Sequence, residues 1–258
     1  MLVELVKRES RHRAGGSLSL FVAYLIPPAT FLLLPIIFDT PTLAGLGKED
    51  GLFENLGAVA FLGASALFML AWLRSAAVKH TFFGYTTKRN LYFLLLSGLT
   101  FICFAEEISW GQRLFGWQTP TWLAALNVQG ETTIHNLLPF SAKDHSGNRK
   151  SFFELFLNMN RLLAIFSLVY FIALPVMVRR WRTAAHFVQY AGIPVPPLRI
   201  GGLFASVYLS FHAAILVFGL PRVQDLDELK ESFYAVIYAL FAARAASDQV
   251  ASPPAATN

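Results

Sequence analysis

The stretch from Leu91 to Arg113, LYFLLLSGLTFICFAEEISWGQR, governs the interpretation of the rest of this sequence. The run from Leu91 to Trp110 is long enough to cross a bilayer, since a spanning helix needs about 20 residues. Glu106 and Glu107 lie inside this run, and one charge at the bilayer centre costs about 2.5 to 3.5 kcal/mol on insertion scales. The two acids therefore indicate a polar site near one face of a membrane.

The composition is that of a membrane protein. Of the 258 residues, 55% are hydrophobic and 14% are charged, whereas soluble domains have about 25% charged residues. The net charge of +5 does not indicate nucleic acid, because Lys and Arg occur in short clusters between apolar runs, which is the pattern of membrane topology. We therefore expect the lipid bilayer as the main partner and no nucleic acid. Cys103 is the single cysteine, so no internal disulfide can form.

Six apolar runs predict an all-α fold, a polytopic membrane helical bundle with a single transmembrane domain over residues 17–246. The predicted spans are about Leu18–Phe38, Leu52–Leu73, Leu91–Trp110, Ser151–Val178, Gly201–Leu220 and Glu231–Ala246. Three prolines inside the first span should kink or split it. Small residues in the second span, among them Gly57, Gly63 and Ser65, suit close packing of helices.

The segments outside the spans give the orientation. Residues 1–16 are polar and basic, and residues 247–258 are predicted to be a disordered tail. Basic residues concentrate in the N-terminal segment and in the loops 74–90 and 179–199. By the positive-inside rule these three segments are cytoplasmic, which places both termini in the cytoplasm of a bacterial inner membrane.

The connection between the third and fourth spans, residues 111–150, is then periplasmic. It is not uniformly polar, and it predicts two short helices at the membrane interface. The first covers about Pro120–Leu126 and has Trp117 and Trp122 as interface anchors. The second covers about Gly130–Leu138.

This orientation gathers the polar residues of the spans in the outer leaflet. Because the third span runs outward, Glu106 lies about 22 Å from the inner edge of a core about 30 Å thick. The second and fourth spans begin at the outer face, whereas His212 of the fifth span is the deepest candidate. We expect a catalytic set of Glu106, Glu107 and Arg113. The supporting residues are Glu54, Trp110, Asn136, Glu154, Asn158 and Arg161.

Helical spacing refines the expected site. Glu154, Asn158 and Arg161 are at i, i+4 and i+7 and would form one stripe on a helix. The triplet of Glu106, Trp110 and Arg113 has the same spacing, provided that the helix continues past Gly111.

The spacing of Glu131 and His135, at i and i+4, suits a metal site. A carboxylate and a neutral imidazole one turn apart both bind zinc, and Glu107 or His212 could supply a third ligand. Three protein ligands and one water would activate that water for attack. This hypothesis gives a metal-dependent hydrolase for a lipid or peptide substrate, with Glu106 or Glu107 as the base and Glu131, His135 and His212 as zinc ligands.

Each of these interpretations has a structural alternative. The acids and arginines could form an ion-pair cluster that locks the outer ends of the helices. His135 could hydrogen-bond a carboxylate from an interfacial helix, and His212 could bond a backbone carbonyl.

Two other functions of the protein stay open as well. One is a proton-coupled transporter with a discontinuous first helix, and the other is a non-enzymatic membrane partner or assembly protein that docks through the outer connection.

Two runs of this sequence, EEISWGQR at 106–113 and QGETTIHN at 129–136, carry a resemblance. Together with Glu49-Asp50-Gly51 they resemble an uncharacterised family of bacterial multi-pass membrane proteins. The resemblance covers the middle third of the chain. It implies a membrane location and carries no known activity.

A weaker similarity is to the CAAX-protease and bacteriocin-processing family of intramembrane metalloproteases. That family has a Glu-Glu pair followed three residues later by Arg, and an aromatic residue four before His. Glu106-Glu107 matches the acid pair, and Tyr208 with His212 matches the aromatic–His step. Arg113, however, comes after five intervening residues, and no His stands four residues before Asn or Asp. The similarity implies Glu107 as the base, with His135 and His212 as metal ligands.

Overall fold

The structure, a computed structural model, describes residues 17–47, 51–142, 144, 146–148, 150–151, 154–223 and 226–250, without the side chains of residues 17–21, 113 and 222. The predicted N-terminal segment and residues 251–258 of the predicted tail lie outside the described residues, as do Glu49 and Asp50. Residues 247–250 of that tail continue the last helix.

The described chain is mostly helical, as its apolar runs predict. The helices are α1 (Ser17–Ile37), α2 (Thr40–Leu46), α3 (Leu52–Arg74), α4 (Leu91–Glu107), α5 (Gln112–Phe115), α6 (Thr121–Ala124), α7 (Met159–Leu168), α8 (Leu174–Arg180), α9 (Arg182–Ala191), α10 (Leu198–Phe218), α11 (Leu220–Val223) and α12 (Asp227–Val250). A π-helical turn, Val169–Ala173, joins α7 to α8, and 3-10 turns lie at Ser75–Ala77, Ser109–Gly111 and Glu154–Leu157. Strands β1 (His80–Phe82) and β2 (Tyr85–Thr87) form an antiparallel hairpin in the predicted basic loop.

Three segments of the described residues are long and apolar enough to cross a membrane, namely Leu52–Ala77, Met159–Arg180 and Leu198–Phe218. They correspond to the predicted second, fourth and fifth spans. The apolar part of α1, Val22–Ile37, is shorter, and α4 has 17 residues because it ends before the predicted boundary. Helix α12 has 24 residues but begins with several charged ones. The fold is thus a helical bundle with three candidate membrane-crossing helices.

Helix α1 is not split, since it continues as one helix through the three prolines inside it. Pro28 lacks the N–H that would bond the carbonyl oxygen of Tyr24 one turn earlier. That oxygen instead accepts a hydrogen bond from Ser206 Oγ of α10 at 2.9 Å, and the Tyr24 hydroxyl donates to the carbonyl oxygen of Arg199 at 2.7 Å. A neighbouring helix therefore satisfies the group that the proline leaves free, as is usual in membrane helices.

Helix α3 packs against α4 on one side and against α12 on the other. A Cβ added at Gly57 would lie 3.4 Å from Ser232 Oγ, so α3 and α12 are in close contact there. Ser65 and Ser97 tie α3 to α4, since each hydroxyl donates to the other residue's carbonyl oxygen, at 3.0 and 2.9 Å. The small residues of α3 thus permit close packing as predicted, except Gly63, whose added Cβ would have no neighbour within 4 Å.

The second half of the bundle packs α10 against α1, α12 and the π-helical turn. Phe171 of that turn is fully buried, and its ring centroid lies 4.9 Å from that of Tyr238 and 5.8 Å from that of Phe204. The backbone of α10 passes so close that a Cβ at Gly201 would come within 2.1 Å of the Phe171 carbonyl oxygen. Only glycine permits this approach of the two helices.

The hairpin and α9 pack together at the end of the bundle where α3 ends. We call residues 79–88 and 181–191, which comprise these elements and the residues next to them, the plate. Gly84 N–H donates to the carbonyl oxygen of Tyr190 at 3.0 Å, and Thr81 Oγ1 donates to that of Gln189 at 2.9 Å. The exposed side chains of this plate include Lys79, Phe83, Tyr85, Lys88, Trp181, Arg182, Phe187 and Tyr190. Tyrosine and tryptophan are common at both membrane–water interfaces.

Candidate functional site

The polar site is built where α4 ends. After the last helical turn, Ser109 (φ 47°) and Trp110 (φ 55°) adopt the left-handed conformation, followed by Gly111 (φ 84°). Three successive residues in this conformation are incompatible with a right-handed helix, so the chain leaves the helix axis. The condition under which Glu106, Trp110 and Arg113 would share one helix face, a helix that continues past Gly111, is therefore not met. The Arg113 side chain lies outside the described part of the structure.

Glu106 accepts four hydrogen bonds. Its Oε2 accepts from the backbone N–H groups of Ile134 at 2.8 Å and His135 at 2.9 Å, and it lies 2.8 Å from His135 Nδ1. Its Oε1 accepts from Trp110 Nε1 at 2.5 Å. Both oxygens of this predicted base are thus engaged, and the side chain is only 10% exposed. We call this set of four hydrogen bonds the Glu106 latch, because it fastens the connection to the end of α4.

Further hydrogen bonds join the two sequence runs that carried the resemblance. Ser109 Oγ donates to Glu131 Oε2 at 3.0 Å. The backbone N–H of Thr132 donates to Gln112 Oε1 at 2.8 Å. Residues 106–113 and 129–136 therefore contact each other directly, which explains the concentration of polar residues in both.

The segment between Asn127 and Leu137 forms turns and one isolated β-bridge. The Asn127 side chain holds these turns together. Its Nδ2 donates to the carbonyl oxygen of Thr133 at 2.8 Å, and its Oδ1 accepts from the N–H of Gln129 at 2.9 Å. The second predicted interfacial helix is therefore wrong, and Glu131 does not share a helix face with His135. The first predicted helix is present in part, as α6.

A partly open cavity of about 710 Å³ lies between α3, α4, α7, α12 and the connection. Its size is in the range of small-molecule sites, about 300–1,000 Å³. The apolar side chains that line it, which we call its apolar wall, include those of Phe61, Leu99, Ile102, Leu162, Leu163 and Phe166. Its polar wall includes Glu54, Glu106, Glu107, Glu131, His135, Glu228 and Glu231, with the amides of Gln129, Asn136, Asn158 and Asn160. Among the described residues that line it there is no lysine or arginine.

The cavity brings together most of the predicted site residues. Those that line it are Glu54, Glu106, Glu107, Glu131, His135, Asn136 and Asn158. They meet because α3, α7 and α12 begin at the end of the bundle where α4 ends, as the alternating direction of the spans predicts. Trp110 supports the site through its bond to Glu106, whereas Glu154, Arg161 and His212 are not among the lining residues.

His212 is not part of the predicted zinc site. It lies exposed on α10, and its Nδ1 is 2.8 Å from the carbonyl oxygen of Tyr208 in the same helix. His135 Nδ1 is engaged by Glu106. No group of three or more His, Cys, Asp or Glu side chains placed to hold a metal ion is found among the described residues. Glu131, His135 and His212 thus do not fit the three-ligand site that their sequence positions suggested.

The predicted stripe of Glu154, Asn158 and Arg161 does not form, because α7 begins one residue after Asn158. Asn158 instead caps this helix, and its Oδ1 accepts from the N–H of Arg161 at 2.9 Å. Glu154 lies exposed in a 3-10 turn, where hydrogen bonds from Ser151 lower its pKa. Asn158 is the member of this stripe that reaches the cavity.

Helix α12 contributes Glu228, Glu231 and Tyr234, none of which was predicted as a site residue. Their spacing of three residues places them near one another on the surface of the helix. Glu231 also accepts a hydrogen bond from Asn160 Nδ2 at 2.9 Å, which links α12 to α7 across the cavity. Acids near the start of the last predicted span are the sequence signal for this part of the site, although Glu228 lies before that span, which begins at Glu231.

His135 is the residue of the site that is best placed to act as a general base. Its side chain is 32% exposed and lines the cavity, and Glu106 holds the ring through Nδ1. No hydrogen bond to its Nε2 is found within the described part of the chain. A histidine oriented in this way by a carboxylate is the arrangement found in general bases. Comparison of the chain with protein-family models, curated proteins and solved structures gives no match.

Proposed function

We propose that this protein is an integral inner-membrane protein with six spans, both termini in the cytoplasm and the cavity in the periplasmic half of the bilayer. The distribution of basic residues supports this orientation, since the aromatic and basic plate is at the opposite end of α3 from Glu54. In this arrangement α1, α4 and α12 cross the membrane together with the three more apolar helices.

Thiol labelling tests the topology. In a Cys103→Ala background, Ser146→Cys should react in intact cells with a membrane-impermeant maleimide, because residue 146 is exposed in the periplasmic connection. Tyr85→Cys, at an exposed position of the plate, should react only after the cells are opened. The reverse pattern would contradict the proposed orientation.

The cavity, we infer, takes a ligand from the membrane, namely a lipid or a lipid-linked molecule. The observation that carries this proposal is that both apolar side chains and carboxylates line the cavity. An acyl chain would lie along Leu99, Leu163 and Phe166, and a polar head would lie among the glutamates. Binding sites of this kind combine apolar surface with a few polar groups that orient the ligand.

Mass spectrometry of lipids that remain bound after detergent purification tests this proposal. Leu163→Trp should fill the apolar wall and reduce the bound lipid several-fold. Leu216→Trp is the matched control, because Leu216 lies 87% exposed on α10 and does not line the cavity. Equal lipid retention in the parent chain and in both variants would contradict the cavity as a lipid site.

A second candidate function is hydrolysis of that ligand, which the contact between Glu106 and His135 favours. His135 Nε2 would take a proton from water as the water oxygen attacks an ester carbonyl. The ester C–O bond then breaks, and the leaving alcohol takes the proton back from Nε2. Glu106 would hold the ring and stabilise its charged form, so Glu106 serves here as a positioning group rather than as the base.

His135→Asn tests this mechanism, since the asparagine amide retains a donor for Glu106 but no base. If His135 is the base, hydrolysis of a lipid ester should fall about 10²- to 10⁴-fold while the melting temperature changes little. His212→Asn should leave the rate unchanged. An unchanged rate in His135→Asn would reject the catalytic role, and failure of the variant to accumulate would favour the non-enzymatic alternative.

A further inference from the structure

Tyr234 of α12 lines the cavity and is only 3% exposed. Its hydroxyl is buried and has no hydrogen-bond partner among the described residues. Tyr238, one turn further along the same helix, is equally buried, but its hydroxyl lies 2.8 Å from Ser167 Oγ. A buried hydroxyl without a partner is unfavourable and uncommon in native structures, so a hydrogen bond from a ligand of the cavity would stabilise it.

The other polar groups of the cavity define what that partner carries. Ionised carboxylates only accept hydrogen bonds, and those other than Glu106, which already accepts four, retain acceptor positions even when one is occupied. Several amide donors that line the cavity are already engaged, since Asn160 Nδ2 donates to Glu231, Asn136 Nδ2 to Gln129 and Asn158 Nδ2 to a backbone carbonyl. The polar wall therefore offers mainly acceptors, which a ligand satisfies with hydroxyl or ammonium groups.

The charges of the lining residues disfavour an anionic head group. A phosphate monoester would meet a wall whose described lining includes six glutamates and no lysine or arginine. Placing like charges next to each other disfavours such a ligand. The cavity thus selects against the anionic lipids that the basic plate at the other end of the bundle would attract.

From these observations we propose that the Tyr234 hydroxyl hydrogen-bonds the polar head of a membrane lipid that carries hydroxyl or ammonium donors and no net negative charge. This inference rests on the proposed function, in which the cavity takes its ligand from the membrane. The lipid chain lies along the apolar wall, and its head reaches the carboxylates and Tyr234.

Titration of the detergent-solubilised full chain with three lipids that share the same acyl chains tests the assignment. The lipids are dioleoylglycerol with a hydroxyl head, dioleoyl phosphatidylethanolamine with an ammonium head and no net charge, and dioleoyl phosphatidic acid with an anionic head. Binding is measured as the increase in melting temperature with lipid concentration. At least one of the first two should bind more tightly than phosphatidic acid, and the tighter one identifies the donor group.

Tyr234→Phe should bind the preferred lipid about three- to tenfold more weakly, the loss expected for one hydrogen bond. Its melting temperature without lipid should not fall, because no hydrogen bond between described residues is lost. Tyr238→Phe is the matched control, and it should lower the lipid-free melting temperature while leaving the lipid affinity unchanged.

Three outcomes would overturn the assignment. If Tyr234→Phe binds as tightly as the parent, or melts earlier without lipid, the hydroxyl does not serve the ligand, although the cavity remains a lipid site. If phosphatidic acid binds as tightly as the other lipids, the selection for donor heads is wrong. If no lipid binds the parent chain, the proposed function fails together with this inference.

Discussion

Replacing Glu106 should release the connection from the end of α4. In Glu106→Gln, the remaining carbonyl oxygen still accepts from Ile134 and His135, but the new NH₂ group faces the Trp110 Nε1–H, which needs an acceptor. Glu106→Ala removes all four hydrogen bonds of the latch. Glu106→Gln therefore removes part of the Glu106 latch, whereas Glu106→Ala removes all of it.

The hydrogen bonds removed from the Glu106 latch determine the expected loss of stability. Hydrogen bonds within membrane proteins average about 0.6 kcal/mol, so the loss of all of them should cost at least about 2 kcal/mol in Glu106→Ala. Bonds to a charged group contribute about 1.5–3 kcal/mol each but are not additive, and we take about 5 kcal/mol as the upper bound. For Glu106→Gln we expect about 1–2 kcal/mol. At about 2–4 °C per kcal/mol, the melting temperature should fall by about 4–20 °C for Ala and about 2–8 °C for Gln.

Thermal unfolding of the purified protein in detergent, followed by tryptophan fluorescence, measures these decreases in melting temperature. Limited proteolysis reports the release of the connection, which should be cleaved faster between residues 127 and 138. Glu154→Gln is the matched control, because Glu154 is exposed and lies outside the latch, so it should melt and be cleaved as the parent is. If Glu106→Ala also behaves as the parent in both measurements, the latch does not hold the connection.

Two further predictions concern the packing below the cavity. Gly201→Ala should destabilise the protein by about 1–3 kcal/mol, because its Cβ would collide with the carbonyl oxygen of Phe171, whereas Gly98→Ala, with open space around its Cβ, should melt no earlier than the parent. Ser167→Ala should cost about 1 kcal/mol, since it removes the buried partner of the Tyr238 hydroxyl, and an unchanged melting temperature would show that this hydrogen bond contributes nothing.

The sequence predicted the position of the site better than its internal geometry. Alternating directions of the spans were enough to place Glu54, Glu106 and Asn158 at one end of the bundle, because a helix of known direction fixes the depth of each residue. The break after α4 could not be predicted in the same way. Ser109 and Trp110 adopt a left-handed conformation that neither residue type favours. Their side chains donate hydrogen bonds to Glu131 of the connection and to Glu106 of α4, respectively.

The predicted grouping of Glu131, His135 and His212 is absent from the described residues for a related reason. The prediction assumed that Glu131 and His135 are one helical turn apart, but hydrogen bonds from the Asn127 side chain favour turns in this segment over a helix. The alternative that His135 bonds a carboxylate is the one realised, through Glu106. That partner is 29 residues away along the chain, so local spacing contained no signal for it.

The apolar wall depends on the one extra residue that the π-helical turn between α7 and α8 contains. Each residue advances a helix by about 100°, and this turn inserts one extra residue. As a result, Leu163 and Phe166 line the cavity while Phe171, in the next turn, is buried against α10 and α12. Deleting any one of residues 169–173 would restore a regular helix and swing one of these two groups away from its neighbours. A related chain without that extra residue would have to rebuild either the wall or the aromatic cluster from different side chains.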